Sequence, residues 1–144
     1  MGWREDVVSE AATWIGTPYR HRGRVKNVVV DCGGLLYECY APAFGPFAPF
    51  PADYAADWAM HRGDELYLDF IRPHVTQVLV PKPGGFSVFR YGRAFCHAAI
   101  WTGSDYIHAW GRNGFGIVRR SPLAFFNLKC RGARPVKHFD AVDK

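Results

Sequence analysis

The feature that most limits the fold of this chain is a change of hydrophobic period at Pro81-Lys82-Pro83-Gly84-Gly85. Ahead of it apolar residues recur at helical spacing, and behind it they alternate. From about Arg4 to Trp14, the side chains of Val7, Val8, Ala11, Ala12 and Trp14 share roughly one helical face, and Gly16-Thr17-Pro18 stops the helix. A polar, basic loop runs to about Lys26. Val28-Val29-Val30 then leads into Asp31-Cys32-Gly33-Gly34, and Leu35, Leu36, Cys39 and Tyr40 mark a second helix. Four of the ten prolines lie between Ala41 and Pro51, which predicts an extended loop, and Asp53 to about Phe70 reads as helix again. After the change of period, Phe86–Tyr91, Phe95–Thr102, Tyr106–Trp110 and Gly116–Arg120 read as a meander of antiparallel strands. Helices first and strands after predict an α+β fold, with N-terminal helices packed on one face of an antiparallel β-meander and residues 1–144 forming one domain.

Composition narrows the function classes. With 144 residues, 49% of them apolar, the chain can build one core. A charged fraction of 22% excludes wholesale disorder. No apolar run approaches the roughly 20 residues that span a bilayer, and Met1-Gly2-Trp3-Arg4-Glu5-Asp6 has no apolar stretch of the secretory kind. The formal charge of +5 favours polyanionic surroundings. Arg20, Arg22, Arg24 and Lys26 come nearest to a basic cluster and read as a solvated surface. Cysteines at 32, 39, 96 and 130 form no Cys-x-x-Cys pair, so a zinc ribbon or thioredoxin-like motif is excluded. Cys39, Cys96 and Cys130 read as small buried hydrophobes.

Cys32 differs because of its neighbours. A thiol is a weak nucleophile until deprotonated. A helix N-terminus offers partial positive charge and unpaired N–H groups that favour an anion. Asp31 suits the N-cap, and Gly33 and Gly34 clear space beside the sulfur for a substrate backbone. The same N–H groups could steady an oxyanion. Taken alone, the tetrapeptide is a weak signal and reads rather as a small core residue at a helix start.

The histidines decide between these readings. His21, His61, His74 and His138 sit among charged or loop residues and read as surface. His97 and His108 lie in apolar strands: alternation groups His97 with Ala99 and Trp101, and His108 with Tyr106 and Trp110. The break at Gly103-Ser104-Asp105 makes a hairpin in which the two imidazoles are cross-strand or diagonal neighbours. A base must touch the nucleophile and a third polar group must orient the base. Cys32, His97 and His108 supply that set. A zinc site is the rival, but a structural zinc wants four ligands and three are at hand, so no metal or cofactor is expected.

The stretches Trp14-Ile15-Gly16-Thr17-Pro18-Tyr19, Val30-Asp31-Cys32-Gly33-Gly34-Leu35, His97-Ala98-Ala99-Ile100 and Ile107-His108-Ala109 resemble, in order and spacing, the NlpC/P60 family of cysteine peptidases. That resemblance implies a papain-like fold with Cys32 as nucleophile, His97 as base and His108 as the third polar residue. It implies that Tyr19 helps position substrate or oxyanion, and that Asp31 and Gly33 have binding or structural roles. It also implies hydrolysis of peptidoglycan stem peptides between D-glutamate and diaminopimelate or lysine. The chain departs from the family pattern at Gly33, where serine is common, at Gly84-Gly85 in place of Gly-Asp, and at His97-Ala98-Ala99-Ile100-Trp101.

The short, bare chain resembles the phage-tail and gene-transfer-agent branch of that family. This branch implies synthesis in the bacterial cytoplasm, tail or baseplate partners, delivery to the envelope on a particle, and for Phe44–Pro51 a docking role or a role in the core. The rivals are a structural tail component with a vestigial site and an amidase or acyltransferase on the same scaffold. A nucleic-acid binder is a poorer match, because the strand aromatics alternate mainly with apolar residues. Membrane insertion is not expected.

Overall fold

The computed structural model describes residues 2–20, 23–44, 75–91, 94–112, 115–129 and 137–141. Helix α1 (Trp3–Thr13) carries Glu5 and Asp6 in its first turn, where the free N–H groups favour acids, and buries Val7 and Ala11. Strands β1 (Arg24–Val25) and β2 (Val29–Val30) form a two-stranded hairpin with Asn27 at φ 64° in its turn. Two members of the expected basic cluster are ion-paired rather than simply solvated. Lys26 Nζ lies 2.6 Å from Glu10 and Arg24 Nε 3.9 Å from Glu38, tying the hairpin to the helices on either side.

Helix α2 (Cys32–Phe44) starts before Leu35 and ends later than expected, with Pro42 inside it. The extended loop predicted from Ala41 therefore begins no earlier than the end of α2. Proline this close to a C-terminus deletes one intrahelical hydrogen bond, and α2 continues past it. The rest of the proline-rich stretch and the helix expected over Asp53–Phe70 lie outside the described residues.

The remaining strands are β3 (Val75–Val78), β4 (Phe86–Tyr91), β5 (Ala94–Trp101), β6 (Tyr106–Arg112), β7 (Phe115–Ser121) and β8 (Lys137–Ala141), with α3 (Leu123–Lys129) between the last two. They form one antiparallel sheet in the order β3-β8-β4-β5-β6-β7. The meander β4 to β7 is the expected one. β8 is not, and it inserts beside β4 with Phe86 opposite Phe139. Nothing in Lys137-His138-Phe139-Asp140-Ala141 marks a strand until β4 supplies its ladder. Arg4 of α1 clasps the Asp140 carboxylate with both terminal guanidinium nitrogens, at 3.2 and 2.5 Å.

The sheet has two unlike faces. On one, Phe86, Val88, Ala98, Ile100, Ile107, Ala109 and Val118 pack under Val7, Ala11, Leu35, Leu36 and Tyr40 of the helices. On the other, Phe89, Ala99 and Tyr106 lie under Phe126 of α3, whose ring stacks on Phe89 with centroids 4.1 Å apart. This second face also holds buried polar groups. Ser87 Oγ bonds both Tyr106 Oη at 2.9 Å and His138 Nδ1 at 2.7 Å. His138, expected on the surface, is instead a half-buried member of β8, and burial lowers its pKa. His21, His61 and His74 are outside the described residues.

Candidate active site

Asp31 caps α2 as its spacing predicts: Oδ1 accepts from the Gly34 N–H at 2.8 Å, and the Asp31 carbonyl takes the first helical bond from Leu35 at 2.9 Å. Cys32 is therefore the first residue of the helix. Of the two glycines, Gly34 does not clear space for a substrate. A Cβ there would collide with the Gly23 carbonyl and the Arg24 side chain, so this glycine lets the hairpin pack on α2. Gly33 turns its N–H to the Cys32 sulfur.

The place of Cys32 against the sheet follows from strand register. β5 and β6 pair only at Ile100↔Ile107 and Trp101↔Tyr106, next to their turn. Farther from the turn the ladder stops, and α2 packs on both strands. The Ala98 N–H, freed from the ladder, points to the Cys32 sulfur. The thiol is thus held one residue along β5 from His97. A β-bulge lies beside this point, since Phe89 faces His97 while Arg90 faces Phe95, which leaves Cys96 as the extra residue.

His97 and His108 are diagonal neighbours across the split. His97 Nε2 lies 2.9 Å from His108 Nδ1, and His108 Nε2 lies 2.8 Å from Ser121 Oγ at the end of β7. Among the described residues, no hydrogen bond takes Nδ1 of His97. His97 is 7% exposed and His108 fully buried. Trp110 meets the His97 ring edge to face at 4.9 Å, and Phe125 and Phe126 lie 5.3 and 4.7 Å from the His108 ring.

This enclosure sets the charge states. Burial pushes His97 down to about 3. Burial, and then the charges of His97 and Arg119, push His108 down to about 2. Burial, with the Asp31 carboxylate second, pushes the Cys32 thiol up to about 12, although the residue keeps part of its surface open. The N–H groups of Ala98, Gly33 and Cys32 pull it the other way and do not prevail. A helix N-terminus favours an anion, but here burial works against charge on the thiol and on both imidazoles.

Tyr19 is held near Cys32 by its backbone. The Val30 N–H donates to Pro18 O at 2.9 Å, the Arg20 N–H to Val30 O at 3.0 Å, and the Tyr19 N–H to Gly116 O at 3.0 Å. Tyr19 thus runs beside the residue two before Cys32, half-buried against the helix-side core. Ser121 and the aromatic residues of α3 were not found from sequence. Ser121 does share the alternation of β7 with Arg119, and Phe125-Phe126 is apolar, but only strand pairing shows that they meet His108. Cys39 is buried as expected, and the side chains of Cys96 and Cys130 lie outside the described residues.

A helix that begins at a cysteine thus packs on an antiparallel sheet whose neighbouring strands carry two hydrogen-bonded histidines. No protein-family model and no curated protein matches the chain. Among solved structures, the crystal structure of the NlpC/p60 domain of peptidoglycan hydrolase SagA matches with a TM-score of 0.60 and 22% identity, over 97% of this chain and 98% of that one. The likeness is one of fold.

Proposed function

We propose that the protein is a cysteine peptidase acting on the peptides of bacterial peptidoglycan, with Cys32 as nucleophile, His97 as base and His108 as the group that orients the base. The observation that carries this reading is the meeting of the Cys32 sulfur with the Ala98 N–H, next to a His97 whose Nε2 is already held by His108. The Cys32 thiol gives its proton to His97 Nδ1 as the sulfur attacks the peptide carbonyl carbon. The N–H groups of Cys32 and Gly33 lie beside the oxyanion that forms. His97 then returns the proton to the departing amine, leaving a thioester. Water attacks the thioester, His97 takes its proton, and the carboxylic acid leaves as the thiol is restored.

The substrate class draws support from the structural neighbour, itself a peptidoglycan hydrolase, and from the +5 charge, which suits an anionic wall. The motif resemblance supports two finer proposals: that the bond cut joins D-glutamate to diaminopimelate, with Tyr19, Asp31 and Gly33 at the substrate, and that a tail-like particle carries the enzyme to the envelope. Purified peptidoglycan digested by wild type and by Cys32→Ala, with fragments read by mass spectrometry, tests the core of this. Fragments cut at that bond by wild type alone are the expected result. Equal, empty digests, both free and on an assembled particle, would shift the weight to a structural component with a disused site.

A further inference from the structure

An imidazole accepts a proton only at the nitrogen that lacks one. For His97 to take the Cys32 proton at Nδ1, its own hydrogen must sit on Nε2, where it donates to His108 Nδ1 across 2.9 Å. His108 then carries its hydrogen on Nε2 and donates it to Ser121 Oγ across 2.8 Å. The opposite chain is equally continuous. If the Ser121 hydroxyl donates to His108 Nε2, both rings carry hydrogen on Nδ1, and His97 has no lone pair for the thiol. The direction of one buried hydrogen bond therefore separates a live base from a blocked one.

Ser121 stands at the end of this chain, 1% exposed, where β7 gives way to α3. His108 cannot escape the choice by taking a second proton. Its ring is fully buried among Trp110, Phe125 and Phe126, and the Arg119 guanidinium, stacked on Phe125 at 4.9 Å, repels a second positive charge. We infer that Ser121 is a positioning residue: by accepting from His108 Nε2–H, its oxygen holds both histidines in the tautomers that leave His97 Nδ1 free for the Cys32 proton. The inference rests on the reading of Cys32 and His97 as nucleophile and base. Without the hydroxyl, the live chain would strand a buried N–H donor and the blocked chain only a lone pair, and an orphaned donor is the less tolerated of the two.

The test is a long-range proton–nitrogen correlation spectrum of the full chain carrying 15N-labelled histidine, which reads which ring nitrogen is protonated. In wild type, His97 and His108 should both show hydrogen on Nε2. Ser121→Ala should move both toward Nδ1, and Ser121→Thr, which keeps the hydroxyl, should hold the wild-type pattern. On peptidoglycan, Ser121→Ala should lower kcat by about 10- to 100-fold with KM little changed, and Ser121→Thr should recover most of the loss. Hydrogen on Nδ1 of His97 in wild type, or an Ala variant with unchanged tautomers, would overturn the assignment. If the Ala variant does not fold, the wild-type and Thr spectra decide. The spectra need no substrate, so expected tautomers in a protein that cleaves no wall would sink the peptidase reading and leave only the tautomer assignment standing.

Discussion

The two faces of the sheet bury side chains to different ends. Under α1 and α2 the covered groups are nearly all apolar, from Phe86 and Val88 through Ile100 to Val118. Under α3 the aromatic cover encloses Ser87, His97, His108 and Ser121, each 7% exposed or less. Buried polar groups are tolerated only when hydrogen-bonded, and here they bond to one another in two short chains. The helix face supplies stability by removing apolar area from water. The α3 face uses the same exclusion of water to keep two imidazoles neutral and aligned. Burial by itself, then, does not tell core from site; the pairing of the buried groups does.

The largest effect should come from His97→Gln, which keeps a polar side chain in place but offers no base. Activity should fall by about 1,000-fold or more, while Tm moves by about 5 °C or less. A loss of stability as large as that of a core truncation would make the α3 face merely structural and break the comparison. Next in size, Ile107→Ala on the helix face should cost about 2–5 kcal/mol in urea unfolding, with activity per folded molecule little changed.

The third effect is one of pH. His97 and His108 are held down at about 3 and 2, far below an ordinary imidazole. The unfolded chain binds their protons near pH 6.5 and the folded chain does not, so they contribute stability above pH 6.5 that is lost as pH falls toward 3. Tm should drop between pH 7 and pH 4 in wild type and drop less in His108→Gln. Equal slopes in the two proteins would show that the buried pair is not what the acid attacks. Activity limited by His97 should by the same token persist below pH 6, and an acid limb near 6.5 would contradict the lowering of His97 by burial.

The smallest effect concerns the cap. Asp31→Ala should cost about 1 kcal/mol through loss of the bond to the Gly34 N–H, whereas Asp31→Asn should keep the cap and remove only the charge. Both should lower the pH at which iodoacetamide begins to react with Cys32, since the Asp31 carboxylate opposes the thiolate. An unchanged alkylation profile in Asp31→Asn would leave burial as the sole cause of the raised thiol.

Much of this was legible in residue order because it is local. The spacing of Val7, Ala11 and Trp14 is a helical spacing, Asp31 ahead of Cys32 is a cap, and alternation in β5 and β6 puts two histidines within diagonal reach. His138 was misread because its hydrogen-bond partner, Ser87, lies 51 residues away. Gly34 was assigned to the substrate because its neighbour Gly23 belongs to a hairpin that sequence spacing did not reveal. The run of α2 through Pro42 was likewise hidden, since a proline count says where a helix is costly and not where it must stop.

By itself, the sequence determined the first two helices, the meander from β4 to β7, the capped cysteine and the pair of histidines, because each depends on residues a few positions apart. Only the tertiary structure decided that the β5–β6 ladder stops beyond Ile100↔Ile107, that Cys32 meets Ala98 at the opening, and that Ser121 ends the chain of imidazoles. It also decided which way burial biases the site. Helix-end N–H groups favour a thiolate wherever a helix begins, but burial depends on what distant segments lay over the sulfur, and here burial is the larger effect.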